Sequence, residues 1–278
     1  MSRTGALNPG WLVPQWPAPA GVKAVFTTRA GGVSTTPFDT LNLASHVSDR
    51  PASVDANRAV LQRAIGAARP VFLNQVHGTE VQRLEPGSFD GQSADACLTS
   101  YPGFACTVMV ADCLPVLLAA QDGSAVAAAH AGWRGLAGGR DGNSQGIVES
   151  VFNGFGVSAQ GKRPHNAIKI IAWLGPCIGP SAFEVGEEVK AAFATAHPES
   201  AQLFAYVGQG KYLADLAGLA RQRLQALGIT QIFGNDGSPS WCTVGNPSRF
   251  FSHRRDAGVT GNGFGTTGRM AACIWLGS

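Results

Sequence analysis

The sequence has little charge and no long hydrophobic run. Only 14% of its 278 residues are charged, the net charge is +3, and no long Lys/Arg run occurs, so a nucleic-acid partner is not expected. No apolar stretch approaches the roughly 18 residues that a membrane-spanning helix needs. The N-terminus also lacks a charged start followed by an apolar core, as an export signal would have. We therefore expect a cytoplasmic protein without a membrane partner.

Compact cysteine motifs and linkers are missing as well. The six cysteines are scattered, so they predict reduced thiols rather than a disulfide framework. No repeat, low-complexity tract or linker divides the chain, and 45% of its residues are hydrophobic. Residues 1–20, with four prolines, are predicted to form an extended N-terminal arm, and residues 21–278 a single domain.

Apolar periodicity indicates interleaved strands and helices. The predicted strands cover residues 22–28, 71–76, 105–111, 125–129, 167–174, 230–233 and 270–276. The predicted helices cover residues 53–67 (with Ser53 as N-cap), 144–152, 185–196 and 213–227. Because several strands are adjacent along the chain, we expect an α+β fold. Its single layered domain would have mixed sheets flanked by helices, rather than a regular doubly wound sheet.

Three of the strand-like runs lead to a possible metal ligand. Their ends are followed by His77, Cys113 and His130, respectively. If neighbouring strands bring these ends together, two imidazoles and a thiolate converge on one point. That donor set suits zinc or copper and leaves a coordination position for water or substrate.

The pattern alone leaves other interpretations open. Either histidine could be a buried, hydrogen-bonded core residue, and Cys113 a small core residue. A nucleophilic cysteine with a helper histidine is the closest competing chemistry. The neighbouring Asp112 is predicted to orient backbone or a ligand, because successive strand residues face opposite sides.

Arginines in small groups suit the binding of a small anion. Arg134 follows His130 by four residues. A helical turn at residues 132–136 would place its guanidinium and free backbone amides beside the metal. Arg29, on a glycine-rich turn, and Arg254, in a polar segment near the last strand, are further candidates to line a cleft.

Taken together, these segments resemble the laccase-domain family of multicopper polyphenol oxidoreductase-like proteins, which are also described as purine nucleoside phosphorylases. The resemblance covers nearly the whole chain, and its motifs lie at residues 28–34, 41–43, 75–78, 111–115, 130–135, 174–176, 183–186 and 251–256. It implies a layered α+β fold of the kind grouped with the CNF toxin, whose cysteine and histidine form a deamidase site.

The resemblance also implies a metal site and an activity. His77, Cys113 and His130 would bind zinc, with copper as the alternative, and act in catalysis. The polar residues expected to bind substrate are Arg29, Asn42, Gln75, Arg134 and Arg254. The implied reactions are phosphorolysis of adenosine, inosine and methylthioadenosine, and deamination of adenosine, by a monomer or small homo-oligomer.

Two other activities compete with this one. A copper polyphenol oxidase with a four-copper apparatus needs many more histidines than the six present. A cysteine hydrolase acting on peptidoglycan precursors needs a free thiolate, and a thiolate bound to zinc is a poor nucleophile.

Overall fold

The computed structural model describes residues 7–138, 145–156, 168–256 and 266–277. In these ranges the strands are β1 Val22–Phe26, β2 Arg69–Phe72, β3 Val81–Leu84, β4 Ala96–Thr99, β5 Phe104–Val110, β6 Leu114–Ala120, β7 Val126–Ala131, β8 Ile170–Leu174, β9 Glu184–Gly186, β10 Phe204–Gly208, β11 Lys211–Ala214, β12 Ile232–Gly234 and β13 Met270–Leu276. The α-helices are α1 Pro51–Ile65, α2 Trp133–Ala137, α3 Ile147–Phe155, α4 Glu187–Ala194, α5 Leu216–Ala226 and α6 His253–Asp256. None of these helices has the length and apolar character needed to cross a membrane.

The strands form three sheets. A six-stranded sheet has the order β12-β8-β6-β7-β4-β3, a four-stranded sheet the order β1-β13-β5-β2, and a small sheet the order β10-β11-β9. Both large sheets are mixed, because β2 with β5, β3 with β4, and β8 with β12 pair in parallel beside antiparallel neighbours. The predicted α+β fold with mixed sheets is confirmed.

The two large sheets pack face to face and are covered by helices on their outer faces. In β6, Leu117 and Ala119 belong to the apolar cluster shared with the four-stranded sheet, while Val116 and Leu118 join the cluster with α3 and α5. Every residue of β6 is buried, as expected for a strand covered on both faces. Helix α1 packs on the outer face of the four-stranded sheet. The layers therefore run helix, sheet, sheet, helix.

Three predicted helix starts are wrong. Helix α4 begins at Glu187, because Val185 belongs to β9. Helix α1 begins at Pro51, so Ser53 lies inside the helix and is not its N-cap. Proline suits the first turn because its fixed φ is helical and its missing N–H would have no partner there. Helix α5 begins after Asp215, whose side chain accepts the N–H of Gly218 at 2.9 Å, whereas Leu213 belongs to β11.

Other boundaries also move. The run 71–76 is paired as a strand only to Phe72, and the run 125–129 extends as β7 to include His130. Helix α3 begins at Ile147, and residue 144, the predicted start, lies outside the described residues. Of the predicted arm, residues 1–6 lie outside the described ranges, and Leu12 pairs with Phe26 through two backbone hydrogen bonds.

Candidate metal centre

The structure brings His77, Cys113 and His130 together. Their ligand atoms all lie within 4.8 Å of one another, and His77 Nε2 is 3.7 Å from Cys113 Sγ. With Zn–N bonds of about 2.0–2.1 Å and Zn–S bonds of about 2.3 Å, a tetrahedral site separates its ligand atoms by about 3.3–3.8 Å. The donor set and the 3.7 Å distance between His77 Nε2 and Cys113 Sγ therefore fit a transition metal.

The three residues come from the ends of both large sheets rather than from neighbouring strands of one sheet. His77 follows β2 after an irregular stretch, Cys113 lies in the connection from β5 to β6, and His130 is in β7. The chain turns sharply at His77 and Asp112, whose φ angles are 61° and 91°. The expectation that strand ends converge is met at the edge where the two sheets meet.

A buried carboxylate, Asp95, supports this centre, and the sequence analysis missed it. Its Oδ1 lies 2.8 Å from His130 Nδ1 and accepts the N–H of His77 at 2.9 Å. Its Oδ2 accepts the N–H groups of Val76 and Gly78 at 3.1 and 2.7 Å. Because the carboxylate accepts from His130 Nδ1, the other ring nitrogen, Nε2, is left to bind a metal. The signal in the sequence was an acidic residue inside an apolar run.

Electrostatics in the centre favour the ionised thiol. Burial alone would raise the pKa of Cys113, but the charges and hydrogen bonds of His130 and His77 lower it to about 6. Burial would lower the pKa of His130, but the Cys113 thiolate and Asp95 raise it to about 9. The thiolate is the form of cysteine that binds metal ions.

Two glycines allow α2 to approach the centre closely. A Cβ at Gly132 would lie 2.9 Å from His77 Cδ2 and 3.0 Å from Cys113 Sγ. A Cβ at Gly135 would lie 2.6 Å from the carbonyl oxygen of Gly78. A larger residue at Gly132 would displace the ligand side chains, and one at Gly135 would collide with the backbone of Gly78.

The three ligands lie in the wall of a cavity with a volume of about 460 Å³, a size that suits a nucleoside-sized ligand. Ile178, Phe183 and Leu216 supply apolar surface, and the cationic or imidazole side chains are those of Arg134, Arg254, Arg269, His46 and His253. A larger groove, of about 800 Å³, lies between the N-terminal arm and the β1–β13 edge. Its described lining contains no histidine, cysteine or carboxylate, so the chemistry belongs to the smaller cavity.

Three of the predicted substrate residues line this cavity. Arg134 is exposed and lies 4.4 Å over the ring of Trp133, and no described residue accepts a hydrogen bond from its guanidinium. The guanidinium of Arg254 donates hydrogen bonds to two backbone carbonyls, at 3.4 and 3.1 Å. Gln75 bonds the backbone N–H and C=O of Met109 at 2.7 and 2.8 Å, so its amide serves the wall of the cavity.

The other two predicted substrate residues are placed elsewhere. Arg29 donates to the backbone and carboxylate of Asp39 and to the carbonyl of Pro247, and it is not among the cavity-lining residues. Asn42 is fully buried, and its Oδ1 accepts the backbone N–H of Arg269 at 3.0 Å. Both side chains hold loops in place and do not face the cavity.

Asp112 anchors one side of the cavity. Its Oδ1 accepts the hydroxyl of Thr243 at 2.6 Å, and its Oδ2 accepts the backbone N–H of Arg254 at 2.6 Å. Asp112 thus orients backbone, as its position beside Cys113 indicated. Besides Asp95, the sequence analysis missed two cavity-lining residues, His46 and Arg269, whereas His253 belongs to the polar segment that was expected to line a cleft. His46 and Arg269 come from loops whose proximity depends on long-range contacts.

Comparison with known proteins shows the family of the chain. Residues 23–277 match the model of the family described as multi-copper polyphenol oxidoreductase laccase, and the chain belongs to that family. It is 47% identical to purine nucleoside phosphorylase YfiH of Escherichia coli over 266 residues, which cover 95% of this chain and 98% of that protein. It is 44% identical to a purine nucleoside phosphorylase of Pseudomonas aeruginosa over 267 residues, which cover 96% and 98%.

Solved structures show the same architecture. The Neisseria meningitidis protein NMB0706 is 42% identical, superposes with a TM-score of 0.80, and the match covers 97% of this chain and 100% of that one. YlmD from Geobacillus stearothermophilus is 31% identical, with a TM-score of 0.83 over the whole of both chains. The family resemblance expected from the motifs is confirmed.

Proposed function

We propose that the protein is a zinc-dependent purine nucleoside phosphorylase that also deaminates adenosine. The observation that carries this proposal is the His77–Cys113–His130 cluster in a nucleoside-sized cavity, whose wall holds the guanidinium of Arg134 with no hydrogen-bond acceptor among the described residues. The names of the similar proteins from Escherichia coli and Pseudomonas aeruginosa support the phosphorylase assignment.

The metal is assigned to the three clustered side chains. Two imidazoles and a thiolate suit zinc, with copper as the competing ion. When bound, the ion supplies Lewis acidity and a coordination position facing the cavity. Asp95 holds the His130 ring in place, and the six described cysteines are all free thiols, as expected in the reducing cytoplasm where we place the reaction.

In phosphorolysis, Arg134 would hold phosphate by charge-assisted hydrogen bonds. A phosphate oxygen forms a bond to the ribose C1′ while the bond from C1′ to the purine nitrogen breaks. The bonding electron pair leaves with the base, which takes up a proton, and the products are ribose 1-phosphate and free purine. Phe183 and Ile178 offer the apolar surface against which the base would pack.

In deamination, water replaces the amino group at purine C6, and ammonia leaves. This reaction needs no phosphate, so it would depend on the metal ligands but not on Arg134. The open cluster supports it because three protein ligands leave room for a water or substrate atom.

Incubation of the metal-loaded protein with adenosine, with and without phosphate, tests the proposal. We expect adenine and ribose 1-phosphate only when phosphate is present, and inosine in both cases. The His77→Ala, Cys113→Ala and His130→Ala variants should lose both products and the bound metal. Oxygen uptake with a phenol, without nucleoside turnover, would favour a copper oxidase. Cleavage of a peptidoglycan precursor by metal-free protein would favour a cysteine hydrolase.

The role of Arg134 is tested by Arg134→Gln. Because a charge-assisted hydrogen bond contributes about 1.5–3 kcal/mol, phosphate-dependent kcat/KM should fall by about 10- to 150-fold. Deamination should change much less. Arg249→Gln, which removes an arginine outside the cavity lining, is the matched control. An equal loss of both activities in Arg134→Gln would make the residue structural.

A further inference from the structure

The cavity contains two further arginines that the proposed reaction does not use, and of these Arg254 is exposed whereas Arg269 is half-buried. Arg269 immediately precedes β13 and is half-buried, and its side chain lines the cavity. It comes from the four-stranded sheet, whereas Arg134 is exposed on α2, which follows the six-stranded sheet. Arg269 and Arg134 therefore reach the cavity from different sheets.

Backbone contacts fix the Arg269 guanidinium. Its Nη1 donates to the carbonyls of Thr267 and Gly268 at 2.8 and 3.3 Å, and its backbone N–H is held by Asn42. Among the described residues, no carboxylate forms a salt bridge with it. Burial lowers the pKa of Arg269. The charges of Cys113 and Asp112 act in the opposite direction but do not cancel this effect. A partly desolvated cation without an ion-pair partner is stabilised when a ligand supplies an anion.

The balance of charge in the cavity also indicates a second anion. Arg134 can bind one inorganic phosphate, and it is more exposed than Arg269. Asp112 is the one carboxylate in the described lining, and both its oxygens already accept short hydrogen bonds. His46 lines the same cavity as Arg269, and its pKa is lowered by burial and by the charges of Arg269 and Arg58. Its neutral imidazole can add a hydrogen bond to a ligand that Arg269 binds.

We propose that Arg269, assisted by His46, binds an oxyanion carried by the nucleoside substrate itself, either a phosphate or a carboxylate. The preferred substrates are then anionic nucleosides rather than neutral ones. This inference rests on the proposed function and extends it from the nucleoside class to a charged subclass.

Calorimetric titration of the zinc-loaded protein with matched ligand pairs tests the inference. Inosine, which has no amino group to lose at C6, is compared with inosine 5′-monophosphate and with inosine 5′-carboxylic acid. Saturating sulfate occupies Arg134 without attacking C1′, so no turnover occurs. The first pair tests a phosphate and the second a carboxylate. We expect at least one anionic ligand to bind about 10- to 150-fold more tightly than its neutral counterpart, the range for one charge-assisted hydrogen bond.

Variants assign that preference to a residue. Arg269→Gln should abolish it while changing the affinity for neutral ligands by less than about 2-fold. Arg269→Lys, which keeps the charge but loses the two-pronged geometry, should retain part of it. Arg134→Gln should leave the preference intact, and Arg249→Gln serves as the control outside the cavity.

Three results would overturn the inference. The first is equal affinity of the wild type for both members of each pair, which decides the matter even if the variants fold poorly. The second is an equal weakening of all ligands by Arg269→Gln. The third is an increased KM for inorganic phosphate in Arg269→Gln with neutral nucleosides, which would place the residue in the phosphate site. Because binding is measured without turnover, a missing phosphorolysis activity would count against the proposed function alone.

Discussion

At the scale of single residues, the metal centre depends on a carboxylate that is not itself a ligand. Asp95 accepts hydrogen bonds from His130 and from three consecutive backbone N–H groups, and its side chain is fully buried. Burial would raise the pKa of Asp95, but its hydrogen bond with His130 and the charge of that ring lower it. The charged form of Asp95 therefore fits its environment.

Asp95→Asn should weaken metal binding by about 10- to 100-fold, the range measured when partners that orient a ligand are changed. The amide can no longer accept with both oxygens, so the turn that carries His77 and the His130 ring both lose support. Competition with a chelator measures the affinity. Asp122→Asn, in an exposed turn, is the control. Unchanged affinity in Asp95→Asn would mean that the three ligands are oriented by packing alone.

Gly132→Ala should abolish metal binding while the protein stays folded. The new Cβ would meet His77 Cδ2 at 2.9 Å and Cys113 Sγ at 3.0 Å, so the ligands must shift. Gly154→Ala in α3 is the control, since its Cβ makes an ordinary 3.5 Å contact with Leu98. That control should keep the metal and gain about 0.5–1 kcal/mol of stability. The metal content and the thermal unfolding of both variants test this prediction. A full complement of metal in Gly132→Ala would contradict it.

At the scale of elements, the start of α6 is tied to the metal centre through Asp112. Asp112→Asn keeps the shape of the side chain but weakens its hydrogen bonds to Thr243 and to the N–H of Arg254. Charge-assisted bonds contribute about 1.5–3 kcal/mol, so the wall should loosen and KM should rise by about 10-fold or more. Metal content should stay the same. Kinetics and metal analysis of one preparation check this, and loss of metal with unchanged KM would refute it.

Local sequence patterns predicted the elements whose burial is continuous and missed those whose pairing is non-local. Strand β13 is a run of apolar residues that lies between β1 and β5 in the four-stranded sheet. Its limits agree with the prediction. Strands β3 and β10 have few buried residues, so neither alternation nor a buried run marks them. In the run after residue 72 only Leu73 packs in the core, and Asn74 and Val76 are exposed, so the strand ends before the predicted limit. Element boundaries depended on Pro51 and Asp215, whose capping effects outweighed periodicity.

The same distinction applies to the site. The ligands could be predicted because each lies at the end of an apolar run within a distinctive motif. Asp95 was marked only as an acidic residue inside an apolar run. Arg269 could not be predicted, because its backbone is placed by Asn42, 227 residues away. Arg29 and Asn42 belong to recognisable motifs, but their side chains are used to hold loops.

At the scale of the whole molecule, the metal centre lies at the edge of the fold and outside its main core. Three apolar clusters fill the spaces between the two large sheets and beneath the helices on either side. Of the three ligands, His130 is buried in β7, Cys113 packs against the margin of one cluster, and His77 is exposed. The layers therefore do not depend on a metal for their hydrophobic burial, unlike small zinc-stabilised domains.

Removal of the metal should consequently lower thermal stability without unfolding the protein. A metal that binds only the folded state at about 100 times its Kd contributes about 2.7 kcal/mol. At about 2–4 °C per kcal/mol for a chain of this size, the Tm should fall by about 5–10 °C after chelation. Calorimetry with and without chelator measures the shift, and far-UV circular dichroism should be unchanged at 25 °C. His77→Ala should show the lower Tm with or without chelator, because it has no metal to lose. If the wild type is unfolded at 25 °C after chelation, the fold depends on the metal centre rather than on the core shared by the two sheets.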